Sequence, residues 1–224
     1  MSLPRTPAIL FVLTSHGELG ESGRKTGFWL SEAAHPWQVF TDAGCRVEFV
    51  SVRGGRPPVD GGDLSDPVQR AFLEEIDLDV IARLDDVDPG DYDAVLYVGG
   101  HGAMWDFPGN PALARIGSLI HAAGGVVAAV CHGPAGLLDL TRADGRYLLD
   151  GRNVTSFTNA EERESGVDGL VPFFLQDALA KRGAHHSDGG VYRAHVVVDE
   201  RVVTGQNPAS AAGVARAVLE LLDR

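Results

Sequence analysis

Four short apolar runs punctuate the first 130 residues: "AILFVL" (8–13), "RVEFVSV" (46–52), "DYDAVLYVGG" (91–100) and "VVAAV" (126–130). Runs of this length, rich in β-branched residues and bounded by glycine or polar loops, read as strands. Helical spacing lies between them. Trp29, Ala33, Trp37 and Phe40 share one side of Trp29–Ala43, with Gly44 as its cap. Pro111–Ala123 carries proline in its first turn and is followed by Gly124 and Gly125. A chain that alternates in this way folds as α/β, with a mostly parallel sheet covered by helices on both faces. Such sheets place their sites past the carboxyl ends of strands. Three strand ends carry unusual residues: Thr14–Gly17, Gly99–Trp105 and Cys131–Gly133.

The rest of the chain continues the pattern. Pro67–Leu84 reads as an acidic surface helix, Gly133–Leu138 as the start of a helix, and Asn153–Phe157 as a short strand. Val171–Arg182 is amphipathic, Val191–Val198 and Arg201–Thr204 suit a hairpin with Asp199 and Glu200 at its tip, and Pro208–Leu222 closes the chain as a helix. A length of 224 residues with 44% hydrophobic content suits one domain spanning 1–224. The net charge of −12 disfavours nucleic acid and anionic membrane surfaces. No run is long and apolar enough to span a bilayer. "MSLPRTPAILFVLTSHG" reads as a first strand rather than a signal peptide, so a cytoplasmic location is expected. The two cysteines, Cys45 and Cys131, form no CxxC, which points away from a disulfide framework and toward a single reactive thiol. Cys45 reads as structural.

Cys131 ends a buried strand just where a helix is expected to start, the strand–turn–helix setting of a nucleophile elbow. Ala129 and Gly133 flank it at two residues on either side, as a sharp turn requires. A helix N-terminus under the sulfur would favour the thiolate. Against this stands the plain alternative of a buried structural cysteine. His132 is a candidate general base through its ring, or an oxyanion donor through its backbone N–H. Gly100, at the end of the third strand, is the candidate oxyanion-hole donor facing Cys131. Glu32 opens an otherwise apolar, aromatic helix. Burial there would raise its pKa and let a neutral carboxyl hydrogen-bond the sulfur, whereas exposure would leave it merely complementing the helix dipole. Met104, Trp105 and Phe107 read as pocket lining, with an exposed apolar patch as the alternative. His185 and His186 lack a third metal donor at a known spacing and read as a surface loop, so no metal site is expected. His16, His35 and His101 receive no chemical role.

Five blocks, "TGFWLSEAAHP", "GGHGAMWDFP", "AVCHGPAGLL", "FTNAEE" and "VTGQNPASA", taken in order over nearly the whole chain, resemble the ThiJ/PfpI superfamily on the class I glutamine amidotransferase-like fold, in its glyoxalase III and heat-shock-chaperone branch. The resemblance implies a flavodoxin-like three-layer sandwich with Cys131 as nucleophile, His132 beside it and Glu32 as the acidic partner of the cysteine. It also places an acidic third member in "NAEERESGV", where spacing to Gly166 favours Glu162 with Glu161 as the close alternative. True glutamine amidotransferases carry a late His-x-Glu pair. His185, His186 and His195 are not followed by one, which argues against glutaminase chemistry.

The activity implied is that of a cofactor-free glyoxalase, turning methylglyoxal, glyoxal and related 2-oxoaldehydes into 2-hydroxy acids such as D-lactate through a cysteine hemithioacetal. No metal, nucleotide or glutathione is required, and a homodimer is expected. Two other readings stand beside it. One is an intracellular cysteine peptidase or amidase using Cys131 and His132 for acyl transfer. The other is a stress chaperone for unfolded clients, or a redox sensor built on Cys131.

Overall fold

The computed structural model describes residues 6–223; residues 1–5, which open the segment weighed above as a signal peptide, and residue 224 lie outside the described residues. The chain runs β1 (Ala8–Leu13), β2 (Phe28–Trp29), α1 (Leu30–Asp42), β3 (Arg46–Ser51), β4 (Val59–Asp60), α2 (Pro67–Glu75), β5 (Ala82–Arg83), β6 (Ala94–Tyr97), α3 (Ala103–Asp106) and α4 (Pro111–Ala122). It continues through β7 (Val126–Val130), β8 (Asn153–Val154), α5 (Asn159–Glu164), α6 (Leu175–Lys181), β9 (His185–His186), β10 (Val196–Asp199), β11 (Val202–Gly205) and α7 (Ala211–Leu222). Seven strands form the central sheet in the order β10-β11-β7-β6-β1-β3-β5. Every pairing is parallel except β10 with β11, which form the edge hairpin around Asp199 and Glu200. This is an α/β fold with a mostly parallel sheet.

All six residues of β1 are buried, and the five after Ala8 divide between two cores. Ile9, Phe11 and Leu13 face the layer that holds α1 and α7, where the Phe11 ring meets Phe40 edge-on at 5.9 Å. Leu10 and Val12 face the layer of α4 with Leu113 and Ile116. Period-2 alternation therefore feeds both sides, and each large side chain contributes about 1.5–3 kcal/mol by leaving water. The helix ends follow their local chemistry. The Asn110 side chain accepts from the amides of Ala112 and Leu113 ahead of α4, and Gly44 takes φ 77° past the end of α1.

The chain starts at β1 in mid-sheet, builds outward through β3 and β5, then returns to β6 on the other side of β1. That reversal opens a crevice at the carboxyl ends of β1, β6 and β7.

Several elements differ from the sequence reading. Pro67–Leu84 is α-helical only to Glu75, with a single 3-10 turn at Leu78–Val80; Ala82 and Arg83 then pair with Val50 and Ser51 as an edge strand, too short to show a period. Asn153–Phe157 reduces to Asn153–Val154, and its parallel partner is His185–His186, so the two histidines sit in a strand rather than a surface loop. The amphipathic helix is shorter than 171–182, and residues 191–195 stay outside the hairpin. After Cys131 the chain makes only a 3-10 helix, Gly133–Leu137, because Gly133 and Pro134 do not propagate an α-helix. Its dipole is correspondingly small. Met104 and Phe107 are core residues, 1% exposed each, and Trp105 stacks on His16 at 4.9 Å. These three form neither pocket lining nor a surface patch.

Candidate active site

Cys131 follows the last residue of β7 with φ 60°, a left-handed conformation that costs a non-glycine residue about 1–2 kcal/mol. The surroundings hold it there. Its N–H donates to the Gly205 carbonyl at 2.8 Å, and its carbonyl accepts from the Phe157 amide at 2.8 Å. A Cβ at Gly133 would strike the Tyr97 carbonyl, so the turn closes only with glycine two residues on. The sharp turn brings neighbouring side chains together: the Cys131 sulfur lies 3.3 Å from Nδ1 of His132.

The other face of that imidazole is held by α5. Thr158 caps this helix, and Glu162 in its first turn sends Oε2 to within 2.9 Å of His132 Nε2. Its second oxygen meets Nε2 of His101 at 2.9 Å. His101 also lies against the His132 ring, with centroids 4.2 Å apart. The Glu162 carboxylate only accepts, so both Nε2 atoms carry hydrogen and His132 turns its Nδ1 lone pair toward the sulfur. Burial alone would raise Glu162, but the hydrogen bonds it accepts from His101 and His132 outweigh it and take the pKa to about 2. Burial, with His101 alongside, lowers His132 despite Glu162, which keeps the ring neutral near pH 7.

Glu32 stands on the other side of the sulfur. It is fully buried in the first turn of α1, and neither of its oxygens completes a hydrogen bond of ordinary geometry among the described residues. The Cys131 thiol and the Gly99 backbone pull its pKa down, but desolvation is larger and lifts it well above the carboxylate range. Glu32 is therefore a neutral acid beside the thiol. Its place exists because residue 99 is glycine: a Cβ there would collide with the Glu32 carboxyl and, at 2.5 Å, with the Val130 carbonyl. Gly100, at φ 103°, directs its backbone N–H to Cys131 and is hemmed in by the backbone of residues 27–29.

The thiol itself departs from the sequence expectation. Burial comes first, then the Glu32 and Glu162 carboxyls, and together they push Cys131 well above an ordinary thiol against the pull of the Gly100 amide. A short 3-10 helix cannot offset them. The resting sulfur carries its proton, and the neutral His132 beside it is placed to accept it.

Glu161 and Glu162 separate cleanly. Glu161 accepts the amide and hydroxyl of Thr158, the amide of Tyr192 at 2.8 Å, and the side-chain amides of Gln206 and Asn207 at 3.0 and 2.8 Å. It ties α5 to the Tyr192 turn and to the loop after β11, and it does not reach His132. Glu164 is exposed.

A cavity of about 460 Å³ opens above the sulfur, walled by Trp29, Phe157, Val167 and Tyr192, with Gly100, His101 and His132 at its base and Arg24 and Lys25 among its polar lining. His16 stacks on Trp105 away from this cavity, and His35 pairs with Asp66 at 2.7 Å. His101 is the site residue that sequence reasoning left without a role. Its only signal was its position directly after the double glycine at the end of a central strand. Cys45 is half-buried in the packing between α1 and β3. Among the described residues, His101, His132 and Glu162 are the single trio of donors close enough to hold a metal ion. No helix among them is long and apolar enough to cross a membrane.

Comparison with known proteins agrees with this architecture. The glutathione-independent glyoxalase HSP31 of Saccharomyces cerevisiae is 36% identical, across 92% of this chain and 94% of the relative. The crystal structure of glyoxalase III from Candida albicans superposes with a TM-score of 0.87 at 31% identity, covering 96% of this chain and 97% of that one. The Francisella tularensis Rapid Encystment Protein superposes with a TM-score of 0.93 at 36% identity, covering 97% and 99%. The DJ-1/PfpI family profile matches residues 25–221. By the profile match over most of its length and by its identity to curated relatives across nearly the whole of both chains, this chain belongs to the DJ-1/PfpI family.

Proposed function

We propose that the protein is a glutathione-independent glyoxalase that converts methylglyoxal and water to lactate, with Cys131, His132, Glu162 and Glu32 as its working groups. The observation that carries this reading is the line Glu162–His132–Cys131, at 2.9 and 3.3 Å, ending on a thiol that faces a neutral buried carboxyl. The similar curated proteins, named glutathione-independent glyoxalases, support the substrate class.

The steps balance with these groups alone. The Cys131 sulfur adds to the aldehyde carbon while its proton passes to Nδ1 of His132. Glu32 gives its proton to the former aldehyde oxygen, near the Gly100 and His132 amides, and a hemithioacetal results. The Glu32 carboxylate then removes hydrogen from the carbinol carbon. The electron pair moves to the neighbouring carbonyl oxygen, which takes the His132 proton, giving an enediol. Glu32 returns its proton to the second carbon, and His132 takes the proton of the first hydroxyl, leaving a thioester of lactate. Water, deprotonated by Glu32, cleaves that thioester, and His132 returns the last proton to sulfur. Acyl transfer by a peptidase would need the Cys–His–Glu line but has no use for a neutral carboxyl beside the thiol, so Glu32 favours the glyoxalase.

A single domain, a cytoplasmic homodimer and an affinity for unfolded clients belong to the same reading. The one sheet drawing strands from residue 8 to residue 205 supports the first of these. The test of function is direct: purified protein, methylglyoxal and no added thiol should yield lactate, and Cys131→Ala should abolish it. A rate indifferent to that substitution refutes the proposal.

A further inference from the structure

Glu162 receives both histidines from separate elements of the fold. His101 arrives from the loop after β6 and His132 from the turn after β7, each with Nε2 at 2.9 Å from its own carboxylate oxygen. The three donor atoms all lie within 4.8 Å of one another. A cation about 2.0–2.1 Å from a nitrogen and an oxygen, at a near-right angle, spans such a 2.9 Å separation. Two imidazoles and a carboxylate form a borderline donor set suited to Zn2+, Co2+ or Ni2+ rather than Mg2+ or Ca2+. Glu162 is buried between the two imidazoles, and its carboxylate is the group that would supply the negative charge a dication needs. His101 and His132 both border the cavity, which gives an entry path and room for water ligands.

We infer that His101, His132 and Glu162 form a binding site for a divalent cation of the zinc class, and that its occupancy switches off the cysteine. The binding stands on this geometry alone, whereas the consequence for turnover rests on the function proposed above. In the free site each Nε2–H donates to Glu162. A cation needs both Nε2 lone pairs, so each ring must carry its hydrogen on Nδ1 instead. Neither ring gains or loses a proton overall. On His132 that hydrogen then points at the sulfur 3.3 Å away, and the nitrogen that accepted the thiol proton becomes a donor. The thiol loses its base while the fold stays unchanged.

The experiment is a Co2+ titration of chelator-treated full-length protein, followed by visible absorption. The expected result is one Co2+ per chain, displaced by one Zn2+, with no sulfur-to-cobalt charge-transfer band and with full binding retained in Cys131→Ala. His101→Asn and Glu162→Gln, checked by thermal melts for folding, should each weaken binding at least about tenfold. His186→Asn, outside the site, should bind as wild type does. Two rates should fall in step with occupancy and recover with chelator: lactate formation, and alkylation of Cys131 by iodoacetamide. Alkylation reads the switch even if no lactate is made, so failure of the glyoxalase reading is distinguishable from failure of this one. Binding that survives both ligand substitutions overturns the site, as does the lack of any stoichiometric binding. A saturated protein whose Cys131 alkylates at the metal-free rate overturns the switch.

Discussion

Glu162→Gln is the substitution that bears most directly on the proposed relay. The carboxylate accepts two N–H groups in a buried setting, and its pKa falls from an ordinary 4.5 to about 2. At about 1.4 kcal/mol per pH unit, that fall corresponds to roughly 3 kcal/mol of native-state stabilisation at neutral pH. The sign follows from the depressed pKa: the contribution is complete above about 4.5 and is lost as pH falls toward about 2. Glutamine keeps the shape but supplies one acceptor where two are needed, and its NH2 group faces one histidine as a donor. At pH 7 the melting temperature should fall by about 6–12 °C, taking roughly 2–4 °C per kcal/mol for a chain of this size. The difference between variant and wild type, read from urea unfolding at a series of pH values, should shrink below pH 4.5. Activity should fall by about 10²–10⁴, because the His132 tautomer that accepts the thiol proton is no longer held. A stability difference that stays constant from pH 7 to pH 3.5 refutes the argument. So does a variant of wild-type activity.

Three further outcomes follow from the same geometry. Glu32→Gln replaces a neutral acid kept in place by burial; since a raised carboxyl pKa costs stability as pH climbs above its unfolded value, the variant should melt higher than wild type at pH 7 and equally at pH 4, while losing lactate formation for want of a proton carrier. Iodoacetamide alkylation of Cys131 should still be accelerating with pH at pH 9, and a plateau reached by pH 7 would contradict the burial argument. Gly99→Ala should destabilise by about 1–3 kcal/mol in chemical unfolding and displace Glu32 from the sulfur, because its methyl overlaps the carboxyl and the Val130 carbonyl.

The pattern of the chain shows how far local chemistry reaches. β1 and β7 were legible as apolar runs of strand length, and α1 and α4 by apolar spacing together with their glycine and proline punctuation. β5, β8 and β9 were not, since two residues cannot display a period and these strands exist only because a neighbour offers free backbone groups. At the site, Cys131 was marked by its place between strand and turn, and Gly100 by the glycine pair. Glu161 and Glu162 could not be told apart by composition, because adjacent helical residues differ only in the direction they face. Thr158 fixes that direction by capping α5, turning Glu161 toward Gln206 and Asn207 and Glu162 toward the two histidines.

Sequence by itself determined the layered α/β architecture, the strand ends where chemistry gathers, and the cysteine at one of them, because periodicity and turn residues act over a few positions of chain. Tertiary structure decided the rest. It brought His101 onto Glu162 across 61 residues of chain and buried Glu32 against the thiol. It also kept the proton on the sulfur, where a helix N-terminus alone would have drawn it away. Those outcomes depend on desolvation and on charges from distant segments, which exist only once the sheet has folded.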